Sequence, residues 1–108
     1  MSKPRDVQIE VEVRGNKIIC DPAVTVFQGK RVEWVAGPDN PNLQFELSFD
    51  SSKPPGIKPF PGAPPAHQKT PAASRYGAIV TATDDQEFKY TVYVAGANDY
   101  DPMIIVGR

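Results

Sequence analysis

The amino-acid sequence predicts an all-β fold, an antiparallel sandwich or barrel of seven to eight short strands. Apolar and polar residues alternate with a period of two along most of the chain, whereas the period of an amphipathic helix is almost absent. Gly, Pro, Asn and Asp separate the alternating stretches at short intervals, as turns do in sandwiches and barrels. With 108 residues, 40% of them apolar, the chain can form one core, and we expect a single domain over residues 1–108.

The first half of the chain contains four predicted extended stretches. The earliest alternates from Val7 to Val13 and predicts a strand with one buried face and one solvent-exposed face. The second is interrupted at Asp21-Pro22, because Pro cannot donate a hydrogen bond to a central strand ladder. The four stretches are 7–13, 17–20 with 24–27, 30–36 and 43–49, and the last has the strongest alternation.

The second half contains three further stretches behind a long interruption. Regular structure is predicted at 76–82, 88–94 and 103–106, with turns or loops at 84–85 and 95–101. The interruption, residues 51–75, holds seven prolines, which exclude a sustained helix or central strand. We call it the Pro-rich segment and predict a basic loop, functional or partly disordered, since its four charged residues are all cationic: Lys53, Lys58, Lys69 and Arg75.

Charge and cysteine content limit the classes of function. The formal net charge of −1 gives no global attraction to nucleic acid or to a membrane, and no apolar run reaches the length of a membrane span. The N-terminus lacks the pattern of a secretory signal. A lone cysteine cannot form an internal disulfide, so we expect a cytoplasmic protein. Cys20, next to Ile18 and Ile19, is interpreted as a small buried residue in preference to a reactive thiol.

Several of these stretches together resemble the cupredoxins over most of the chain. The matching pieces, in order, are Val24 to Phe27, Gly29, Val32 to Trp34, the spaced set Phe88, Tyr90 and Val92, and finally Ile104 with Val106. The order of the pieces carries the resemblance. It implies a Greek-key sandwich of seven to eight strands, with one pole at which the family holds type 1 copper.

The copper ligands of that family do not carry over to this chain. Such a site needs a thiolate and two imidazoles, and the whole sequence has one Cys and one His. The resemblance places the first imidazole near Pro41 or Asn42, the thiolate at Val92, and the axial ligand nearest Tyr100. Met103 comes too late, inside the last strand. We therefore expect a cupredoxin-like fold without type 1 copper and without any other cofactor.

The resemblance also implies that the loop after the third stretch and the loop before the last strand meet at one pole. Carboxylate and amide oxygens in these loops suit a hard cation such as calcium. The alternative, which we favour, is that these residues form turns, because Asn and Asp side chains mimic backbone turns. The candidate metal ligands are Asp39, Asn42, Asp99 and Asp101.

A second candidate surface is the Pro-rich segment. Lys58, Pro61 and Pro64 have the spacing that polyproline-binding domains recognise. The alternative is a structural role, in which Phe60 and Ile57 pack against the edge of the sandwich. The candidate partner-binding residues are Lys58, Phe60, Pro61, Pro64, Tyr93 and Tyr100, the tyrosines because exposed aromatic residues are enriched at interfaces.

We expect a non-catalytic binding or scaffolding module that contacts another protein through the Pro-rich segment or the acidic pole. One alternative is a metal-dependent enzyme subunit, or one that uses His67; a pair of His67 with Cys20 requires the fold to bring them together. Another alternative is an immunoglobulin-like structural or adhesion module. Nucleic acid and membrane partners are not expected.

Overall fold

The computed structural model describes residues 4–107, and over that range it contains eight strands and no helix. Two sheets of four strands pack face to face, so the predicted all-β sandwich is confirmed. The strands are β1 (Val7–Arg14), β2 (Lys17–Ile19), β3 (Ala23–Phe27), β4 (Arg31–Ala36), β5 (Glu46–Lys53), β6 (Arg75–Ile79), β7 (Glu87–Tyr93) and β8 (Met103–Gly107).

The orientation of the strands is mixed. The first sheet has the order β2-β1-β4-β6 and the second β3-β8-β7-β5. Four pairings are antiparallel, as expected, but β1 pairs with β4 in parallel and β3 pairs with β8 in parallel. The chain crosses to the second sheet at β3 before β4 returns alongside β1, which is why β4 runs in the same direction as β1.

The core lies between the two sheets and follows the alternation of the sequence. In β1, Ile9 and Val11 are buried, and in β7 the buried residues are Phe88, Tyr90 and Val92. Burying each such side chain stabilises the fold by about 1.5–3 kcal/mol. The largest fully buried side chains are Trp34, Tyr90, Phe45, Phe60, Phe88, Ile9, Leu47 and Ile104.

The fifth strand is displaced from the predicted stretch 43–49. Phe45 forms an isolated bridge with Ala73, and the continuous strand runs from Glu46 to Lys53. Its register against β7 shifts between Ser48 and Ser51, which marks a β-bulge. The strand therefore extends into residues that were predicted to belong to the loop, and the connection between β5 and β6 covers residues 54–74.

The Pro-rich segment is an integral part of the sandwich. Phe60 is 1% exposed, and its ring lies edge-on to Phe49 of β5 at 5.3 Å and tilted against Tyr76 of β6 at 6.0 Å. It therefore closes the side of the sandwich between these two edge strands. Phe60 is not available to a partner, and the alternative role in packing is the one observed; Ile57 is half-buried against the same core.

Candidate functional site

The position that the resemblance assigns to the copper thiolate is filled by packed apolar residues. Val92 is fully buried, and its backbone exchanges two hydrogen bonds with Tyr100, at N···O distances of 2.8 and 3.2 Å. Tyr100 is half-buried and packs on the core from the loop before β8. Leu43, Val94 and Ala97 pack against the same core. The position assigned to the thiolate is therefore part of the packed core.

The loop 37–42 and the loop before β8 both contact the hairpin that β1 and β2 form. Asn40 Oδ1 accepts a hydrogen bond from Val13 N–H at 2.8 Å, while Asp39 N–H donates to Glu12 Oε2 at 2.8 Å. From the other loop, Asn98 N–H donates to the carbonyl of Asn16 at 2.9 Å. The backbone of Asn40 closes the turns of this loop, with bonds to Gly37 O and from Leu43 N–H at 3.0 Å, while its side chain connects the loop to β1.

The four candidate cation ligands do not form a donor cluster. Asp101 Oδ1 accepts a hydrogen bond from Thr91 Oγ1 at 2.7 Å, on the outer face of the second sheet. Asn42 and Asp99 are exposed, as are Asp39 and Asp101. Over residues 4–107, no group of three or more His, Cys, Asp and Glu side chains is placed to hold a metal ion. Calcium binding stays a prediction without a geometric basis.

The Pro-rich segment is fastened to the outer face of β5 by one carboxylate. Asp50 accepts a hydrogen bond from His67 N–H at 2.6 Å with one oxygen and from Ser48 Oγ–H at 2.8 Å with the other. His67 has a φ of +67°, a left-handed backbone conformation that is unfavourable for residues other than glycine. The bond to Asp50 therefore holds His67 in a turn that its own preference disfavours.

Two further contacts bind the end of the segment to the sheet. Thr70 is buried; its N–H donates to Leu47 O at 2.8 Å, and its Oγ1 accepts from Leu47 N–H at 2.9 Å. The Lys69 ammonium lies 4.0 Å from the centre of the Tyr93 ring, a cation–π contact. Tyr93, a predicted partner-binding residue, thus holds the Pro-rich segment from within the molecule.

The groups around His67 do not have the order of a Ser-His-Asp triad. In a Ser-His-Asp triad the imidazole lies between the hydroxyl and the carboxylate. Here Asp50 lies between the other two: His67 Nδ1 is 3.8 Å from its Oδ1, and Ser48 donates to its Oδ2. Ser48 is buried, while the His67 side chain is 87% exposed. The group that accepts the Ser48 hydrogen bond is the Asp50 carboxylate and not the imidazole, so the order of the three groups differs from that of the triad.

Cys20 belongs to a different part of the molecule from His67. Its Sγ is 3.8 Å from the Tyr90 hydroxyl, which accepts a hydrogen bond from Trp34 Nε1–H at 3.1 Å. Burial is the largest influence on this thiol and raises its pKa, which lowers the thiolate fraction at neutral pH. The contacts of Cys20 match a packed residue, and it is not paired with His67.

An apolar groove of about 540 Å³ lies between β5 and the Pro-rich segment. Its size falls within the range of ligand pockets. One wall is formed by β5 residues with Phe88 behind them, and the other by prolines and short apolar side chains. The lining residues are Phe49, Asp50, Ser51, Ser52, Pro55, Gly56, Ile57, Lys58, Pro59, Ala63, Pro64, Pro65, Ala66 and Phe88.

The predicted polyproline motif is folded into this groove. Ala63 N–H donates to the carbonyl of Phe60 at 3.1 Å, so the chain turns at Pro61. A polyproline-binding domain reads a continuous extended backbone, which this turn interrupts. Lys58 and the half-buried Pro64 line the groove, and Pro61 is exposed on the turn.

We expect Asp50→Ala to loosen the Pro-rich segment and to lower the free energy of unfolding by about 1–3 kcal/mol, the range for losing bonds to a charged acceptor. Limited proteolysis tests the loosening of the segment, and we expect faster cleavage within residues 54–69. Asp50→Asn, which keeps one acceptor oxygen, is the matched control and should lie in between. Cleavage of Asp50→Ala at the wild-type rate would show that this carboxylate does not hold the segment.

Comparison with known proteins leaves this chain without an assigned family: no family model and no curated protein matches it. Within residues 4–107, no helix has the length and apolar character needed to cross a membrane.

Proposed function

We propose that this protein is a non-catalytic binding module, and that the groove beside β5 receives an apolar side chain of a protein partner. The observation that carries the proposal is the groove itself: about 540 Å³, lined by two phenylalanines, one isoleucine and four prolines. Such a lining binds apolar groups by excluding water from both surfaces. The lining contains one carboxylate, Asp50, which already accepts hydrogen bonds from Ser48 and His67, and one ammonium, the exposed Lys58. Lys58 favours a partner with a carboxylate next to its apolar anchor.

The fastening of the Pro-rich segment supports this role. Phe60 anchors the segment in the core, and Asp50 and Leu47 hold it by hydrogen bonds at His67 and Thr70. A wall that is already ordered loses little conformational entropy when a ligand binds. This distinguishes a binding groove from a flexible loop that folds only in the complex.

The strand arrangement supports a cupredoxin-like sandwich over an immunoglobulin-like one. Immunoglobulin-type sandwiches are built from two antiparallel sheets. In this chain each sheet contains one parallel pair, β1 with β4 and β3 with β8. We retain the cupredoxin-like fold without type 1 copper as the proposal. The unpaired Cys20 is consistent with the cytoplasmic location expected from the sequence.

A random peptide library displayed on phage, selected on the immobilised protein, tests the groove. We expect enrichment of peptides that share one large apolar residue near an acidic residue. Ala66 is exposed and lines the groove, so Ala66→Trp fills the groove without removing core contacts. This variant should bind the selected peptides roughly tenfold more weakly, a loss of about 1.4 kcal/mol.

The matched control is Ala72→Trp. Ala72 is exposed in the same segment but is not among the groove lining, so its variant should bind the selected peptides as the wild type does. Equal binding to Ala66→Trp and to the wild type, or no enrichment of any apolar sequence, would rule out the groove as the binding site.

A further inference from the structure

The outer edge of β6 carries unpaired backbone groups. β6 is the last strand of the first sheet, and among residues 4–107 the strand it pairs with is β4. The hydrogen bonds from Ala36 N–H to Ser74 O, at 2.9 Å, and from Val80 N–H to Lys30 O, at 2.9 Å, show that even-numbered residues here face β4. Because successive residues of a strand point their backbone groups to opposite sides, Arg75, Gly77 and Ile79 direct theirs to the free edge.

The Pro-rich segment covers this edge only beyond the ends of β6: Ala73 bonds to Phe45, and Thr81 N–H donates to Pro59 O at 3.0 Å. Between these contacts the strand has neither a proline nor a bulge, two of the features that protect natural edge strands from pairing. β6 reads RYGAI, and its register with β4 is regular over all five residue pairs. The edge of β5 is covered along the strand itself, because Thr70 N–H donates to Leu47 O and Thr70 Oγ1 accepts from Leu47 N–H.

The side chains beside the edge are apolar and cationic. Ile79 is 50% exposed, which is unusual for a large apolar side chain in this molecule. Arg75, with its side chain 69% exposed, and Arg31 both approach Glu33, at 3.8 and 3.3 Å. Two guanidinium groups therefore share one carboxylate, which leaves a net positive charge next to the apolar residue.

Gly77, in the middle of the edge, lies under the side chain of Arg31. A Cβ at this position would lie 2.5 Å from Nη2 of Arg31, so the guanidinium occupies the space over the glycine. An aromatic residue on an adjacent strand covers such an edge glycine well, and it would also stack on the guanidinium.

We propose that the free edge of β6 binds an extended segment of a protein partner as an added antiparallel strand. The segment carries an aliphatic residue opposite Ile79, an aromatic residue opposite Gly77 and a carboxylate opposite Arg75. The net positive charge beside the edge favours an acidic partner segment over a second copy of the chain. Each edge has two arginines and one glutamate, so two copies would bring like net charge together, whereas an acidic strand neutralises it.

Amide hydrogen exchange measured by NMR on the whole chain tests this proposal. The probe is the synthetic peptide ITFTE, acetylated and amidated at its ends, whose five residues match the open part of the edge between Ala73 and Thr81. Run antiparallel to β6, its isoleucine, phenylalanine and glutamate face Ile79, Gly77 and Arg75. In saturating peptide we expect the amides of these three residues to exchange roughly tenfold more slowly, because they gain hydrogen bonds. The same peptide N-methylated at its phenylalanine should give no protection.

Two variants test the recognition of side chains. Ile79→Lys should weaken the binding of the peptide roughly tenfold, whereas Ile19→Lys should leave it unchanged, since Ile19 is 44% exposed on β2 at the opposite edge of the same sheet. Arg75→Glu should also weaken binding, and a peptide with lysine in place of glutamate should restore it.

Three outcomes would overturn the proposal. The first is unchanged exchange at Arg75, Gly77 and Ile79 in saturating peptide, and the second is equal binding of the N-methylated peptide. The third is slow exchange at these amides without peptide, together with a dimer mass in sedimentation, which would assign the edge to a second copy. The groove selection with Ala66→Trp is independent of all three, because β6 does not line the groove.

Discussion

Replacing Phe60 with alanine is expected to lower the free energy of unfolding by about 3–5 kcal/mol, the usual loss for deleting a fully buried aromatic side chain. Phe60 is 1% exposed and lies at 5.3 to 6.4 Å from the rings of Phe49, Tyr76 and Trp34. The substitution therefore leaves a cavity in the core and removes the anchor of the Pro-rich segment. Urea unfolding followed by Trp34 fluorescence measures the loss.

The matched control is the neighbouring Pro61, which is exposed on the turn. Pro61→Ala should change the free energy of unfolding by no more than about 0.5 kcal/mol, as surface substitutions usually do. If Phe60→Ala were as mild as Pro61→Ala, Phe60 would not belong to the core and the Pro-rich segment would not be part of the sandwich.

Tyr90→Phe is expected to lower the free energy of unfolding by about 1–3 kcal/mol, because it leaves a buried donor without an acceptor. The Tyr90 hydroxyl accepts from Trp34 Nε1–H at 3.1 Å, and both side chains are almost fully buried. The isosteric Tyr100→Phe is the control, since Tyr100 is only half-buried. Equal stability of the Tyr90→Phe variant and the wild type would contradict the buried hydrogen bond.

The same variant should change the response to alkaline pH. Burial is the main cause that raises the pKa of Tyr90 above its ordinary value, and burial also raises the pKa of Cys20. As the pH rises past the unfolded phenol value of about 10, the unfolded chain loses this proton while folded Tyr90 keeps it. The stabilisation present at lower pH is therefore lost. In Tyr90→Phe, thermal melts should show a smaller loss above that pH.

The parts of the fold that depend on local pattern could be predicted from the sequence. Alternation places Ile9 and Val11 of β1, and Phe88, Tyr90 and Val92 of β7, on faces that prove to be buried. A period of two forces alternate side chains to one face, so a half-buried strand is visible in its own residues. Composition alone also shows that one Cys and one His are too few for the thiolate and two imidazoles of a type 1 copper site.

Contacts between distant residues could not be predicted in this way. Phe60 stands among prolines without periodicity, so nothing local distinguishes a core anchor from an exposed binding residue. Asp50 accepts its hydrogen bond from His67, seventeen positions further along the chain. An acidic residue near the end of a strand is an ordinary surface residue in sequence, and only the path of the Pro-rich segment makes it an anchor.

The direction of the strands and the position of the groove likewise depend on contacts between residues that are distant in the sequence. The parallel pairing of β1 with β4 follows from the crossing of β3 to the other sheet, which local alternation does not encode. The groove is formed where the Pro-rich segment passes Phe49 and Ser52 of β5. Proline content predicted a loop there, but the apolar residues between the prolines were the available signal for a packed wall.

Amide hydrogen exchange of the free protein tests most directly whether the Pro-rich segment is an ordered wall of a preformed groove. The N–H groups of Ala63, His67 and Thr70 donate to Phe60 O, Asp50 Oδ1 and Leu47 O. We expect all three amides to exchange far more slowly than in an unstructured peptide, with Thr70 approaching the protection of the strands. Exchange of these amides at the rate of an unfolded chain would show that the segment is not ordered and would contradict the account.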